Sequence, residues 1–101
     1  MNMQALLKQA QKMQKDLAKV EEELSTKEYE ATMGGGVVKV VIKDMKVEDI
    51  QIEESLLEKD GKEDLQEMLK AALNDAFTQA VEDKEKTMNS ITGGVKMPGG
   101  F

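Results

Sequence analysis

The chain contains no histidine, cysteine, arginine or tryptophan. Without cysteine it can form neither disulfides nor thiolate metal sites. Without histidine it lacks the commonest general base, the commonest metal ligand and a pH switch near neutrality. The sequence therefore predicts no catalytic residues, no metal site, no cofactor and no small-molecule substrate. An enzyme built on carboxylates or lysine alone is the weakest alternative.

Aromatic residues are almost as scarce, with two phenylalanines and one tyrosine in 101 residues. A domain of this size buries roughly 60–65% of the surface of its unfolded chain, and aromatic side chains contribute the most packing per residue. We therefore expect part of the apolar surface to be buried between two copies, as a homodimer. No apolar run approaches the length of a membrane span, and the N-terminus lacks the apolar core of a signal peptide. A cytoplasmic protein without a membrane partner is predicted.

Charge is distributed unevenly along the chain, although the net charge is −6. Residues 1–20 hold four lysines and one aspartate, whereas residues 21–83 hold seven lysines and eighteen acidic residues. Residues 84–101 hold three lysines and one glutamate. A polyanion would therefore be repelled by the middle of the chain and attracted to its two ends.

A long amphipathic helix is predicted over residues 3–26. Its apolar residues recur at alternating steps of three and four, which makes a heptad seam of the kind found in coiled coils. The seam can pack on its twin in a second copy or on the last helix of the same chain. Its members are Met3, Leu6, Ala10, Met13, Leu17, Val20 and Leu24.

Four lysines lie opposite this seam, at heptad positions f and c. A stripe of lysines on a helix is either a solvated face or a surface that contacts phosphates. Because this stripe carries one sign in an otherwise acidic chain, the two interpretations are about equally supported. The four residues are Lys8, Lys12, Lys15 and Lys19.

Three antiparallel strands are predicted over residues 27–33, 37–43 and 47–52. Gly34-Gly35-Gly36 should form the first turn. A phosphate-binding loop would require a helix after these glycines, and a strand follows them. Ile50 and Ile52 are expected to point inward, and Val47 is out of phase with them, which predicts a bulge.

A second long helix is predicted over residues 61–90, with an apolar stripe that covers one face of the sheet. Before it, a single turn over residues 55–58 is predicted, capped by Ser55 with Glu58, and the helix itself is expected to begin with a capping box of Asp60 with Glu63. The domain is expected to occupy residues 1–91, followed by a flexible tail over residues 92–101 because that segment is rich in glycine.

The order of these elements and motifs resembles the YbaB/EbfC family over nearly the whole chain. The motifs that carry the resemblance are Gly34-Gly35-Gly36, Leu73-Asn74-Asp75-Ala76, Thr92-Gly93-Gly94 and Pro98-Gly99. The resemblance implies an α+β homodimer whose sheets join and whose long helices project like the arms of tweezers. It also implies a nucleoid-associated protein that binds double-stranded DNA and influences gene expression.

The resemblance places DNA binding on the projecting helices, mostly the first. On this chain the lysine stripe is then the expected contact surface, and the absence of arginine predicts binding with little sequence specificity. The alternative is an acidic adaptor for other proteins, without significant DNA binding. Further DNA-contacting candidates are Gln4, Gln11 and Gln14 on the first helix, and Lys84 and Lys86 on the last.

Overall fold

The computed structural model of the chain describes residues 2–92. It confirms the predicted α+β order of helix, three strands and helix, with bounds that differ from the expected ones by a residue or two. The elements are α1 (Met3–Ser25), β1 (Glu28–Met33), β2 (Val38–Lys43), β3 (Lys46–Ile52) and α2 (Lys62–Thr92), with 3₁₀ turns at Glu54–Leu57 and Lys59–Gly61. The predicted tail falls outside the described residues, apart from Thr92, which ends α2.

Helix α1 begins and ends with side-chain caps. The Asn2 side chain accepts a hydrogen bond from the Gln4 amide at 3.0 Å, which satisfies one of the free amides of the first turn. At the other end, the Ser25 and Thr26 hydroxyls donate to backbone carbonyls of the last turn. No residue of α1 is buried, so its stability depends on these caps and on good helix formers more than on core packing.

The three strands form an antiparallel sheet in the order β1-β2-β3. Gly34, Gly35 and Gly36 all have positive φ, which confirms the predicted turn. The predicted bulge is also confirmed, because Val41 pairs with Asp49 while Ile42 pairs with Val47, and the register shifts between them.

The core lies between one face of the sheet and α2. Val38, Val40 and Ile42 of β2 are completely buried there, against Ala72 and Ala76 of α2. Alanines at this contact allow the helix to lie close to the sheet, and the larger apolar side chains of the predicted stripe pack around them. Those partly buried residues are Leu65, Met68, Leu69, Leu73 and Phe77.

Two predicted capping boxes are wrong. The Ser55 hydroxyl donates to the Glu53 carboxylate at 3.3 Å instead of capping a helix, and Asp60 lies within a 3₁₀ turn. The backbone supplies the missing contact, since the Gly61 amide donates to the Glu58 carbonyl at 2.9 Å. The chain thus enters α2 through tight turns, which leave no N-cap position for either side chain.

Ile50 lies opposite buried Val40, on the face predicted for it, but it is 42% exposed. β3 is an edge strand, and α2 packs on β1 and β2 and makes few contacts with β3. Within residues 2–92, neither helix combines the length and the apolar character needed to cross a bilayer.

Candidate nucleic-acid interface

Helix α1 projects from the body of the molecule, whose overall extents are 69 × 23 × 18 Å. Every residue from Met3 to Lys12 is exposed. Partial burial begins at Met13 and continues at Leu17, Val20 and Leu24, where α1 contacts α2 of the same chain. This half of the heptad seam therefore packs on α2, whereas Met3 and Leu6 are left uncovered, with 72% and 42% of their surfaces exposed.

The surface opposite the seam is the lysine face, which we define as Lys8, Lys12, Lys15 and Lys19. All four side chains are exposed, and at 1.5 Å per residue they span about 16 Å of helix. Ion pairs within residues 2–92 engage Lys27, Lys39, Lys43 and Lys70, and none involves the lysine face. The predicted glutamines Gln4, Gln11 and Gln14 are exposed on the same helix.

The other two predicted contact residues, Lys84 and Lys86, lie in more acidic surroundings. Both are exposed on α2 beside Asp83 and Glu85. Lys84 also lines a groove that it shares with Glu21 of α1 and with the turn between β2 and β3. Acidic neighbours lower the attraction of these two lysines for a polyanion.

The face of the sheet away from α2 is acidic, and two of its lysines are in ion pairs. Lys39 lies 3.4 Å from Glu30, and Lys43 lies 3.9 Å from Glu48. Among residues 2–92, no group of three acidic side chains is arranged to hold a metal ion. The molecule therefore has a projecting helix that carries the lysine face, attached to an acidic body.

A cluster around Asp83, not anticipated from the sequence, lies where α1 joins the body. The Asp83 carboxylate accepts hydrogen bonds from the Lys27 ammonium at 2.7 Å and from the Tyr29 hydroxyl at 2.5 Å. Thr87 donates to its other oxygen at 3.5 Å. We call Lys27, Tyr29 and Asp83 the Asp83 cluster. Since 54 and 56 residues separate the partners, no local pattern reveals the contact.

The pKa values of Asp83 and Tyr29 are both shifted from their ordinary values. The hydrogen bonds from Lys27 and then Tyr29 hold the pKa of Asp83 below its ordinary value. Burial, followed by the hydrogen bond and the negative charge of Asp83, raises the pKa of Tyr29 to about 12. Asp83 is therefore ionised and Tyr29 neutral over the whole physiological range.

A direct check is available because Tyr29 is the only tyrosine and the chain has no tryptophan. An ultraviolet absorbance titration should show tyrosinate forming near pH 12, above the ordinary 10.0. A raised pKa favours the neutral phenol in the folded state, so this stabilisation is complete below pH 10 and lost as the pH rises toward 12. Asp83→Asn should lower the pKa of Tyr29 only part of the way, since burial is the larger cause. An ordinary pKa in the wild type would contradict the contact.

A lysine face on a helix that projects from an acidic α+β body is an arrangement suited to nucleic-acid binding. The chain belongs to the YbaB/EbfC DNA-binding family, whose family model matches residues 1–95. That family is one of DNA-binding proteins and not of enzymes.

Relatives of this chain are similar over almost their full lengths. A nucleoid-associated protein of Thermoanaerobacter sp. (strain X514) is 42% identical over 99% of this chain and 91% of its own. A nucleoid-associated protein of Clostridium novyi is 43% identical over 100% of this chain and 90% of its own. The crystal structure of an uncharacterized protein from Helicobacter pylori matches with a TM-score of 0.80 at 30% identity, covering 92% of this chain and 99% of that one.

Proposed function

We propose that this protein binds duplex DNA in the nucleoid through contacts between the lysine face of α1 and backbone phosphates, with little sequence specificity. The observation that carries the proposal is the lysine face itself. Its four ammonium groups are exposed and without ion-pair partners among residues 2–92, while Lys39 and Lys43 of β2 are held in ion pairs. Binding of this kind would organise the nucleoid and influence gene expression.

The side chain that most often reads guanine is missing. Arginine is absent, and of the three asparagines Asn2 caps α1 with its side-chain oxygen, which leaves Asn74 and Asn89 on α2. Lysine is a point charge suited to phosphate, whereas discrimination of guanine relies mostly on bidentate arginine. The exposed glutamines of α1 could read adenine alone, which gives limited specificity. Contacts to phosphate position a protein on DNA without reporting its sequence.

The function is tested by measuring fluorescence anisotropy with a random-sequence duplex at several salt concentrations. If a dimer neutralises about six to eight phosphates, the logarithm of affinity should fall against the logarithm of salt with a slope of roughly −5 to −7. A second duplex of unrelated sequence should give the same curve. Absence of binding at about 50 mM salt, where phosphate contacts are strong, would refute the proposal.

We also infer that the binding unit is a homodimer joined along the β3 side of the body. The single chain has a radius of gyration of 19.4 Å, well above the roughly 13 Å of a compact 100-residue domain. Its large exposed apolar side chains on the body include Val47 and Ile50 on β3 and Val81 on α2. β3 is an edge strand, so one side of its backbone is free to pair.

The three apolar residues lie on the same side of the body. Gln79 of α2 donates to the Glu30 carbonyl of β1 at 3.0 Å, so this side of the helix faces β1. Residues two positions away on a helix are rotated by about 200°, which turns Val81 toward β3. Val81 there borders a depression lined also by Phe77. Apolar side chains beside an open strand edge form a surface that a second copy can cover.

Ile50→Glu should convert the dimer to monomer, because each of the two copies then places a negative charge at the centre of this surface. Sedimentation velocity measures the change in mass directly. Gln51→Glu is the matched control, since it adds the same charge to the other face of β3 and should leave the dimer intact. If Ile50→Glu sediments as the wild type does, the dimer is joined elsewhere.

The alternative function, an acidic adaptor for other proteins, is favoured by the net charge of −6 and by the open acidic face of the sheet. An adaptor would keep its activity when the lysine face is reversed in charge. The variant that separates the two functions is therefore a change on α1.

A further inference from the structure

We propose that Lys27, Tyr29 and Asp83 are positioning residues for DNA binding, because they fix the direction in which α1 leaves the body. The inference rests on the proposed function for the role of α1. Its structural part, that the Asp83 cluster controls the orientation of the helix, is independent of DNA and can be measured without it.

Packing holds only the second half of α1, where the contact with α2 runs from Met13 to Leu24. No residue of α1 is buried, so the helix lacks the interlocked side chains that normally determine the angle between two helices. A groove of about 260 Å³ remains open beside its last turn, between Leu24, Met45 and Ala80. Because this side is open and the contact with α2 is only half-buried, packing resists a rotation of the helix about its base only weakly.

The connection at the base of α1 is short, and the Asp83 cluster holds it. α1 ends at Ser25 and β1 begins at Glu28, so the pivot consists of Thr26 and Lys27. Asp83 of α2 binds Lys27 within the pivot and Tyr29 just after it, at 2.7 and 2.5 Å. One carboxylate thus ties the pivot and the first strand to the same point on α2.

The first lysines of the face lie far from this pivot, so a small rotation of α1 at its base displaces them by a large distance. Lys8 is 19 residues before Lys27 in sequence, or about 28 Å along a helix. A rotation of about 10° at the base therefore moves Lys8 by about 5 Å, comparable to the spacing of adjacent side chains on a helix. A helix that samples many directions presents its lysines correctly for only part of the time, and the apparent affinity falls by that fraction.

The first test uses the sign of the change in affinity. Asp83→Asn removes one negative charge and should, from charge alone, strengthen DNA binding. We expect it instead to weaken binding by about threefold to tenfold, through loss of the binding-competent orientation. Asp75→Asn on the exposed surface of α2 makes the same chemical change away from the cluster, and should leave the affinity unchanged or slightly higher.

The second test measures the orientation of α1 directly. Because the chain has no native cysteine, Gln9→Cys and Gln66→Cys place two spin labels on exposed sites of α1 and α2. The doubly labelled protein is mixed with excess unlabelled chain, and the distance distribution is measured by pulsed electron–electron double resonance without DNA. It should be narrow with Asp83 present, broad with Asp83→Asn and narrow with Asp75→Asn.

The possible results separate the positioning role of the Asp83 cluster from the proposed DNA-binding function. An unchanged distance distribution in Asp83→Asn overturns the positioning role, and so does a broadened distribution with unchanged DNA affinity. Loss of DNA binding in every variant and in the wild type would instead refute the proposed function, while the distance measurement would still test the cluster. Should Asp83→Asn fail to fold, Tyr29→Phe keeps the ring, removes one hydrogen bond and is expected to change both measurements in the same direction.

Discussion

Lys12→Glu combined with Lys15→Glu is expected to weaken binding to random-sequence DNA by at least about a hundredfold at low salt. Both lysines are exposed at the centre of the lysine face and lack ion-pair partners among residues 2–92. In a dimer the double variant removes four phosphate contacts and places four repelling charges in the same positions. The salt dependence should also flatten by roughly three to four units of slope.

The matched control for this variant is Lys59→Glu with Lys62→Glu. It changes the net charge of the chain by the same amount, but on the acidic body at the start of α2. We expect its DNA affinity to stay within a few-fold of the wild type, since those lysines already lie among acidic residues. If both double variants lose binding equally, the net charge controls binding and the lysine face has no special role.

Ala76→Leu is expected to destabilise the fold by about 2–3 kcal/mol. Ala76 has no exposed surface and lies between α2 and the buried valines of β2. Three additional carbon atoms at this position must push the helix away from the sheet. A domain of this size has about 5–15 kcal/mol of total stability, so the change removes a large share of it.

The surface position Ala71 on the same helix offers the control for the core. Ala71 is exposed, and Ala71→Leu adds the same atoms without displacing α2. Chemical denaturation followed by circular dichroism should show an unchanged midpoint for Ala71→Leu and a much lower one for Ala76→Leu. Equal midpoints would mean that the contact between α2 and the sheet is looser than the structure shows.

Several features of this fold could be predicted because they depend on local periodicity. Alternating steps of three and four along α1 place the apolar seam on one side and Lys8 and Lys19 on the other. In β2, alternation places Val38, Val40 and Ile42 on the covered face. The triple glycine predicts a turn, and its positive φ values are energetically accessible to glycine without strain.

Local sequence patterns gave a wrong prediction where backbone groups hydrogen-bond to each other instead of to side chains. Ser55 and Asp60 occupy positions that fit a capping box, but the chain makes 3₁₀ turns there, and backbone carbonyls take the place of the side chains. The exposure of Ile50 was missed for another reason. Its pattern resembles that of a covered strand, and whether α2 reaches an edge strand depends on the width of the helix and not on the strand itself.

Residue periodicity and composition were enough to predict the α+β order, the heptad seam and the separation of basic residues 1–20 from an acidic middle of the chain. The packing of half of the seam on α2, and the contacts of Lys27 and Tyr29 with Asp83, became visible in the folded molecule alone. Contacts between residues more than 50 positions apart depend on how the helices and the sheet dock together. Docking is set by the packing of the whole core, which no local pattern contains.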